Sequence, residues 1–237
     1  MKKSLFFKLL FILLLFNILA TNVVGVTYDL GVSEEESFIW EVENYDEETY
    51  LTYFDEPDFE EDDQKKFEIK EIKEKSDYWK LILDVWDYTQ NTDKFNEEAD
   101  DNENKDIYKD PEDQAENILD IEDIAEMWII ATPIVNYLEE FRDHFDNPII
   151  NVYVDDDGTL EAKYALEHIE YELKLKYTLD GVAETIEYID NEGDKFVKIN
   201  ITREERIPGY QFLLYVILIS GLISVIVWRK KLKIKEE

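Results

Sequence analysis

Alternating hydrophobic and polar residues dominate the pattern along the chain and predict β-strands. Residues 38–43 and 77–89 carry large apolar side chains at every second position, which is the period of a strand with one buried face. Shorter apolar runs predict two more strands, at residues 50–54 and 67–75. After Pro148 the alternation becomes continuous. It predicts five strands there, at residues 149–154, 159–166, 169–177, 182–189 and 196–202.

The hydrophobic period changes to that of a helix in the middle of the chain. From Ile134 the apolar residues recur at spacings of four, three and four as far as Phe145, which indicates an amphipathic helix. Thr132 is suited to cap this helix and Pro133 to begin it. Helical spacing also favours a second helix over residues 118–131, although its last five residues fit a strand as well.

These elements predict an α+β fold in which a curved antiparallel sheet of about eight or nine strands carries one or two helices inserted mid-chain. The alternative is a two-sheet sandwich in which the helix serves only as a connection. The strand and helix periods also predict which side chains lie inside the domain. They are Phe38, Trp40, Trp79, Leu81, Leu83, Leu138, Phe141, Leu173 and Leu175.

The N-terminus has the composition of a secretory signal. Three lysines lie within the first eight residues, a nearly unbroken apolar run covers residues 9–20, and small residues follow at Ala20 and Gly25. The apolar run is shorter than the roughly 20 residues of a membrane-spanning helix. We therefore predict a signal peptide at residues 1–25, with a retained N-terminal anchor as the alternative.

A second apolar run near the C-terminus predicts a transmembrane helix at residues 209–228, contacting the lipid bilayer through residues 211–228. Tyr210 and Trp228 flank the run, as aromatic residues do at membrane interfaces. Five Lys and Arg residues follow within positions 229–237, and the positive-inside rule places such a tail in the cytoplasm. The prediction is a single-pass protein of the cell membrane, with an extracellular domain at residues 26–208.

The sequence Arg206-Ile207-Pro208-Gly209-Tyr210, followed by the apolar span and Arg229-Lys230-Lys231, resembles a known anchor. It is similar to the C-terminal anchor of many archaeal cell-surface proteins, in which Pro-Gly-Phe precedes a span and a basic tail. Tyr210 occupies the position of that Phe. The resemblance covers about 30 residues and implies a cell-surface location; the exterior domain resembles no family that we recognise.

Charge changes the picture of the exterior domain. Residues 26–208 contain 17 Lys and Arg against 56 Asp and Glu. Such a surface repels phosphate backbones, so we expect no nucleic acid partner. Acids are dense between residues 91 and 113, where no hydrophobic period is visible, and we interpret this stretch as an acidic flexible loop.

Carboxylates are the ligands that calcium prefers, and Asp155, Asp156 and Asp157 precede Gly158 at a predicted turn. The spacing does not match the calcium-binding loop of EF-hands, since Tyr153 and Tyr164 would occupy its first and twelfth positions. Two interpretations stay open: weakly bound Ca²⁺, and a solvated acidic surface with no cofactor. Asn200 begins an Asn-Ile-Thr glycosylation sequon in a predicted strand.

Catalytic signatures are scarce. The chain has no cysteine, two histidines and seven glycines, and neither a nucleophile elbow nor a glycine-rich phosphate loop is recognisable. With so many acids, no pair stands out for acid–base work. We therefore predict a non-enzymatic cell-surface protein that binds a partner or forms part of the envelope. The sequence identifies no protein or ligand partner.

The alternative function is a surface carrier or sensor that holds a lipid or another hydrophobic ligand under the curved sheet. Aromatic residues in the predicted strands are the candidates for lining such a cavity, although they equally fit an ordinary core. They are Trp40, Trp79, Trp86, Tyr78, Tyr171 and Tyr177.

Overall fold

The computed structural model describes residues 26–55, 57, 59–166 and 168–204. The strands are β1 Asp29–Leu30, β2 Ser37–Tyr45, β3 Gln64–Glu74, β4 Tyr78–Thr89, β5 Asp101–Tyr108, β6 Ala131–Thr132, β7 Ile150–Val154, β8 Thr159–Leu166, β9 Ile169–Tyr177, β10 Ala183–Asp190 and β11 Lys195–Arg203. The helices are α1 Glu47–Tyr53, α2 Pro111–Asn117, α3 Ile121–Ala125 and α4 Ile134–His144, with a 3₁₀ helix at Thr92–Asn96.

Nine strands form one open antiparallel sheet in the order β5-β4-β3-β2-β11-β10-β9-β8-β7. Each half of this sheet is a meander, because strands that are consecutive in the chain pair with each other. The two meanders join where β2 pairs with β11, which are the first and last strands of the sheet in the sequence. The short strands β1 and β6 form a separate pair. The α+β class and the antiparallel sheet are thus confirmed, and the two-sheet sandwich is wrong.

The segment between the edge strands β5 and β7 packs on the sheet through Trp128. The Trp128 ring lies 5.5 Å from Phe38, 5.5 Å from Trp40 and 5.2 Å from Phe67, measured between ring centroids. The backbone is fixed as well, since Ala183 donates its N–H to the Trp128 carbonyl at 2.8 Å. All nine side chains predicted to be interior are buried, because the strand and helix periods correctly separate the buried face of each element from its exposed face.

Gly181 allows this segment to approach the β9–β10 turn. The Ile130 N–H donates to the Gly181 carbonyl at 2.8 Å. Gly181 has a φ of +80°, and a Cβ atom at this position would lie 2.3 Å from the Ile130 oxygen. A side chain is therefore excluded both by the backbone conformation and by the contact.

The acidic stretch 91–113 was predicted as a flexible loop, and this prediction is wrong. The stretch contains the 3₁₀ helix, strand β5 and the first turn of α2. Strand β5 pairs only with β4, and Ile107 is its one buried residue. An edge strand whose side chains mostly face water needs no alternating apolar residues. The polar sequence of β5 therefore gave no sign of a strand.

Three further predictions need correction. Residues 50–54 are not a strand, because Asp46 accepts the Thr49 N–H and begins helix α1 there. Pro133, not Thr132, occupies the N-cap position of α4, and the Thr132 hydroxyl donates instead to the Asp29 carbonyl at 3.3 Å. The middle of the chain holds three helices, α2 to α4, rather than one or two.

No helix in the part of the chain that the structure describes is long and apolar enough to span a membrane. The signal peptide predicted at residues 1–25, the span at 209–228 and the tail at 229–237 lie outside the described residues. They stay predictions from the sequence.

Candidate functional site

A cavity of about 220 Å³ lies between the sheet and helices α1 and α3. Most of its wall is aromatic. The aromatic lining consists of Trp40, Tyr50, Phe54, Phe59, Tyr88 and Tyr188. Aliphatic side chains complete the apolar part, namely Ala125, Ile186, Val197 and Ile199.

The aromatic rings contact one another and form a continuous wall. Phe54 lies 5.0 Å from Tyr50 and 5.5 Å from Tyr188, and Phe59 lies 5.2 Å from Tyr88, measured between ring centroids. Tyr88 and Tyr188 come from strands β4 and β10, whereas the other three come from α1 and the residues after it. The wall is therefore built jointly by the sheet and by the short helix.

Helix α3 and its C-cap residue supply the two carboxylates of the site, Glu122 and Glu126. Their spacing of four residues puts both on one face of the helical turn. Asp120 fixes that turn with a capping box, in which its carboxylate accepts the Asp123 N–H at 3.0 Å and Asp123 in return accepts the Asp120 N–H at 3.3 Å.

Only one of the two carboxylates has a positively charged partner. Glu126 lies 3.3 Å from Lys105 Nζ, and the same ammonium donates to the Glu126 carbonyl. Across the described ranges, no ion pair or hydrogen bond engages the Glu122 carboxylate. Partial burial, together with Asp120 and Asp123 nearby, raises the pKa of Glu122 above its ordinary value. Glu122 is therefore the uncompensated negative charge of the site.

The carboxylates also act on the tyrosines of the wall. Burial is the main reason that the pKa of Tyr188 rises well above its ordinary value, and Tyr171, Tyr50, Glu122 and Glu126 raise it further. The Tyr188 hydroxyl therefore stays protonated even in alkaline solution that ionises an ordinary tyrosine.

Trp40, one of the lining residues, has a buried indole N–H. No partner for this N–H exists among the residues placed by the structure. An unpaired buried donor is unfavourable by about 1–3 kcal/mol.

Known proteins give no further guide to this site. No protein family model matches the chain, and no curated protein matches its sequence. The site is an apolar, aromatic hollow of small volume, with one unpaired carboxylate at its edge.

A second hollow, of about 510 Å³, is a weaker candidate. It is more open, and lies between strands β7 to β9 and the turn after β10. Its principal carboxylate, Glu172, lies 3.2 Å from Lys163 Nζ and 2.9 Å from Lys174 Nζ. These lysines neutralise Glu172, and three aromatic residues line this hollow, compared with six in the first cavity, which makes it the weaker candidate.

The predicted calcium residues Asp155, Asp156 and Asp157 lie in the exposed turn between β7 and β8. Asp157 accepts the Thr159 N–H at 3.1 Å, and hydrogen bonds from Thr159 lower the pKa of its carboxyl. Within the described residues, no group of three or more acidic, histidine or cysteine side chains is arranged to hold a metal ion. Calcium binding at this turn stays a prediction.

Asn200, the predicted glycosylation residue, lies in the middle of β11, on the face opposite to the buried Ile199 and Ile201. Its side-chain amide donates to a Glu43 carboxylate oxygen at 3.0 Å. The side chain is thus engaged within the sheet, and its modification stays a prediction.

Of the aromatic residues proposed from the sequence to line a cavity, only Trp40 does so at this site. Tyr177, for example, is a core residue whose hydroxyl donates to the Met127 carbonyl at 2.8 Å. The residues missed by sequence reasoning are mainly those of α1 and the segment after it. The available signal was the helical spacing of Tyr50, Tyr53 and Phe54 behind a capping Asp46.

Proposed function

We propose that this chain is a single-pass, membrane-anchored protein of the cell surface that binds a small molecule without transforming it. In this proposal residues 26–208 form the exterior domain, whose sheet curves around helices α2 to α4, and residues 211–228 hold it in the bilayer. The observation that carries the proposal is the cavity of about 220 Å³ with its six aromatic side chains. Concave, largely apolar pockets with a few polar groups are typical of ligand sites.

The position of the cavity along the strands supports a ligand that arrives from the exterior. Arg203, the last residue of β11, pairs with Phe38, whereas Tyr45 pairs with Val197 near the beginning of β11. Helix α1 follows Tyr45 and therefore lies at the end of the sheet away from Arg203. A bilayer anchor that follows β11 would leave the α1 wall on the side distant from the membrane.

The volume of the cavity separates this proposal from a carrier of large lipids. Pockets for drug-sized ligands enclose about 300–1,000 Å³, and this cavity is smaller. A two-chain membrane lipid does not fit inside, whereas a compact molecule does. The alternative of a hydrophobic-ligand sensor is retained only in this form, with a small ligand.

Methyl NMR on the full chain in dodecyl maltoside micelles tests the proposal. Ile186 and Ile199 line the cavity, whereas Ile69 is fully buried elsewhere in the sheet. Titration with cyclohexanol as the probe is expected to shift the Ile186 and Ile199 methyl signals saturably and to leave Ile69 unchanged. Shifts that are equal at all three methyls, or none at all, would contradict a ligand site here.

The anchor is tested on the same chain, which is expected to remain with membranes in alkaline carbonate.

A further inference from the structure

We propose that the ligand of the cavity is a compact organic monocation of the ammonium type, held against the aromatic wall with Glu122 as its counter-ion. The inference rests on the proposed function, since it names the ligand class of the same cavity. The size of the ligand follows from the cavity volume of about 220 Å³; its charge and its chemical nature follow from two further observations.

The charge follows from the pairing of the two carboxylates. Glu126 forms an ion pair with the mostly buried Lys105, with 3.3 Å between Oε2 and Nζ. Glu122 keeps its charge without a partner among the residues that the structure places. Of the two carboxylates that line the cavity, only Glu122 is uncompensated, and a ligand with a single positive charge neutralises it.

The chemical nature follows from the wall. A cation over an aromatic face is attracted by about 0.5–2 kcal/mol per ring, and aromatic cages of this kind recognise quaternary ammonium groups. Lys65 provides an internal example, since its Nζ lies 5.6 Å from the Tyr88 ring centroid. A metal ion is disfavoured because calcium requires six to eight oxygen ligands, and the cavity wall is mainly carbon.

Choline chloride and its uncharged isostere 3,3-dimethylbutan-1-ol are the probes that test the inference. The two molecules have the same shape and differ in the nitrogen and its charge. They are titrated into the full chain in dodecyl maltoside, a non-ionic detergent that brings no competing ammonium group. The buffer contains 150 mM NaCl, which sets the Debye length at about 8 Å and so suppresses long-range attraction by the acidic surface. The readout is again the Ile186 and Ile199 methyl signals.

Choline is expected to bind at least about tenfold more tightly than the isostere, a difference that corresponds to one close charge and one or two ring contacts. Glu122→Gln is expected to remove most of this preference and to leave the affinity for the isostere unchanged. The matched control is Asp156→Asn, which removes one carboxylate from the exposed β7–β8 turn. It is expected to leave both affinities as they are.

The outcomes separate this inference from the proposed function. If choline and the isostere bind equally, the cavity is a ligand site but the cation is wrong. If neither choline, the isostere nor cyclohexanol moves the cavity methyls, the site itself is wrong. If Asp156→Asn weakens choline as much as Glu122→Gln does, the preference comes from the overall charge of the surface, and the assignment of Glu122 is overturned.

Discussion

Two regions of the covered face of the sheet use the same kind of residue with opposite results. Around Trp128 the aromatic rings fill the space completely, and Trp128 and Phe38 are 2% and 0% exposed. Under α1 the aromatic rings contact one another but enclose a cavity. Trp40 belongs to both regions. The number of aromatic side chains therefore does not decide whether a region is solid core or contains a cavity. The deciding factor is how closely the segment that covers the sheet packs against it.

The covering segments explain the contrast. Residues 127–132 run against the sheet and are held there by backbone hydrogen bonds to Gly181 and Ala183. Helix α1 has no buried residue, and it covers the sheet with partly exposed rings such as Tyr53, which stacks on Phe196 at 5.2 Å between centroids. A segment with its own backbone pairing packs closely, whereas a short amphipathic helix over one end of the sheet leaves room for a ligand.

Truncation of one ring in each region is the strongest test of the contrast. Trp128→Ala is expected to lower the free energy of unfolding by about 3–5 kcal/mol, as for other large buried aromatics. Phe59→Ala, in the cavity wall, is expected to lower it by only about 1–2 kcal/mol because the ring is partly exposed. Urea unfolding of the full chain in dodecyl maltoside, followed by near-UV circular dichroism, measures both. Equal losses would mean that the cavity wall is ordinary core.

The packed region was accessible from the sequence, and the cavity was not. The alternation in residues 38–43 and 77–89 located strands β2 and β4 and their buried faces, because one face of each meets a filled core. The same reasoning failed for α1 and β5, where few side chains are buried. Periodicity reports burial, so elements that line a hollow or form an exposed edge give little signal.

The carboxylates of the site illustrate a second reason. Among 58 acidic residues nothing in the sequence distinguishes Glu122. Its role depends on which acid has a lysine partner. Lys105 lies in β5, about twenty residues before Glu126 in the sequence, and contacts it only in the folded chain. Such pairing is a property of the tertiary structure.

Substitution of an alanine by leucine in each of the two regions is expected to have a smaller effect on stability. Ala125 lines the cavity, so Ala125→Leu is expected to occupy empty space, to leave stability nearly unchanged and to abolish the cyclohexanol shifts. Ala183 is 1% exposed beside Trp128. There, the same change to Leu is expected to cost about 1–3 kcal/mol through overpacking. Urea unfolding and methyl NMR are the measurements, and a large loss for Ala125→Leu would show that the hollow is not available to a ligand.

The smallest expected effect is a pH dependence of stability that arises at the cavity under α1 and not in the core around Trp128. Because folding raises the pKa of Glu122, the folded chain binds that proton more tightly than the unfolded chain does. The charged carboxylate therefore destabilises the fold slightly above its folded pKa, and this cost disappears as the pH falls through that value. Glu122→Gln is expected to be slightly more stable than the wild type at pH 7, with the difference vanishing in acid.

Choline affinity should change in the opposite sense. As the pH falls, protonation of Glu122 removes the counter-ion, and the affinity is expected to decline at a pH above the ordinary glutamate value of 4.5. The isostere lacks a charge and should bind equally across the range, and the Ile69 methyl in the packed region should not shift. A decline that begins only below pH 4.5, or one that persists in Glu122→Gln, would assign the cation preference to other acids of the surface. A substitution that stabilises the free protein and weakens its ligand marks a residue retained for binding rather than for folding.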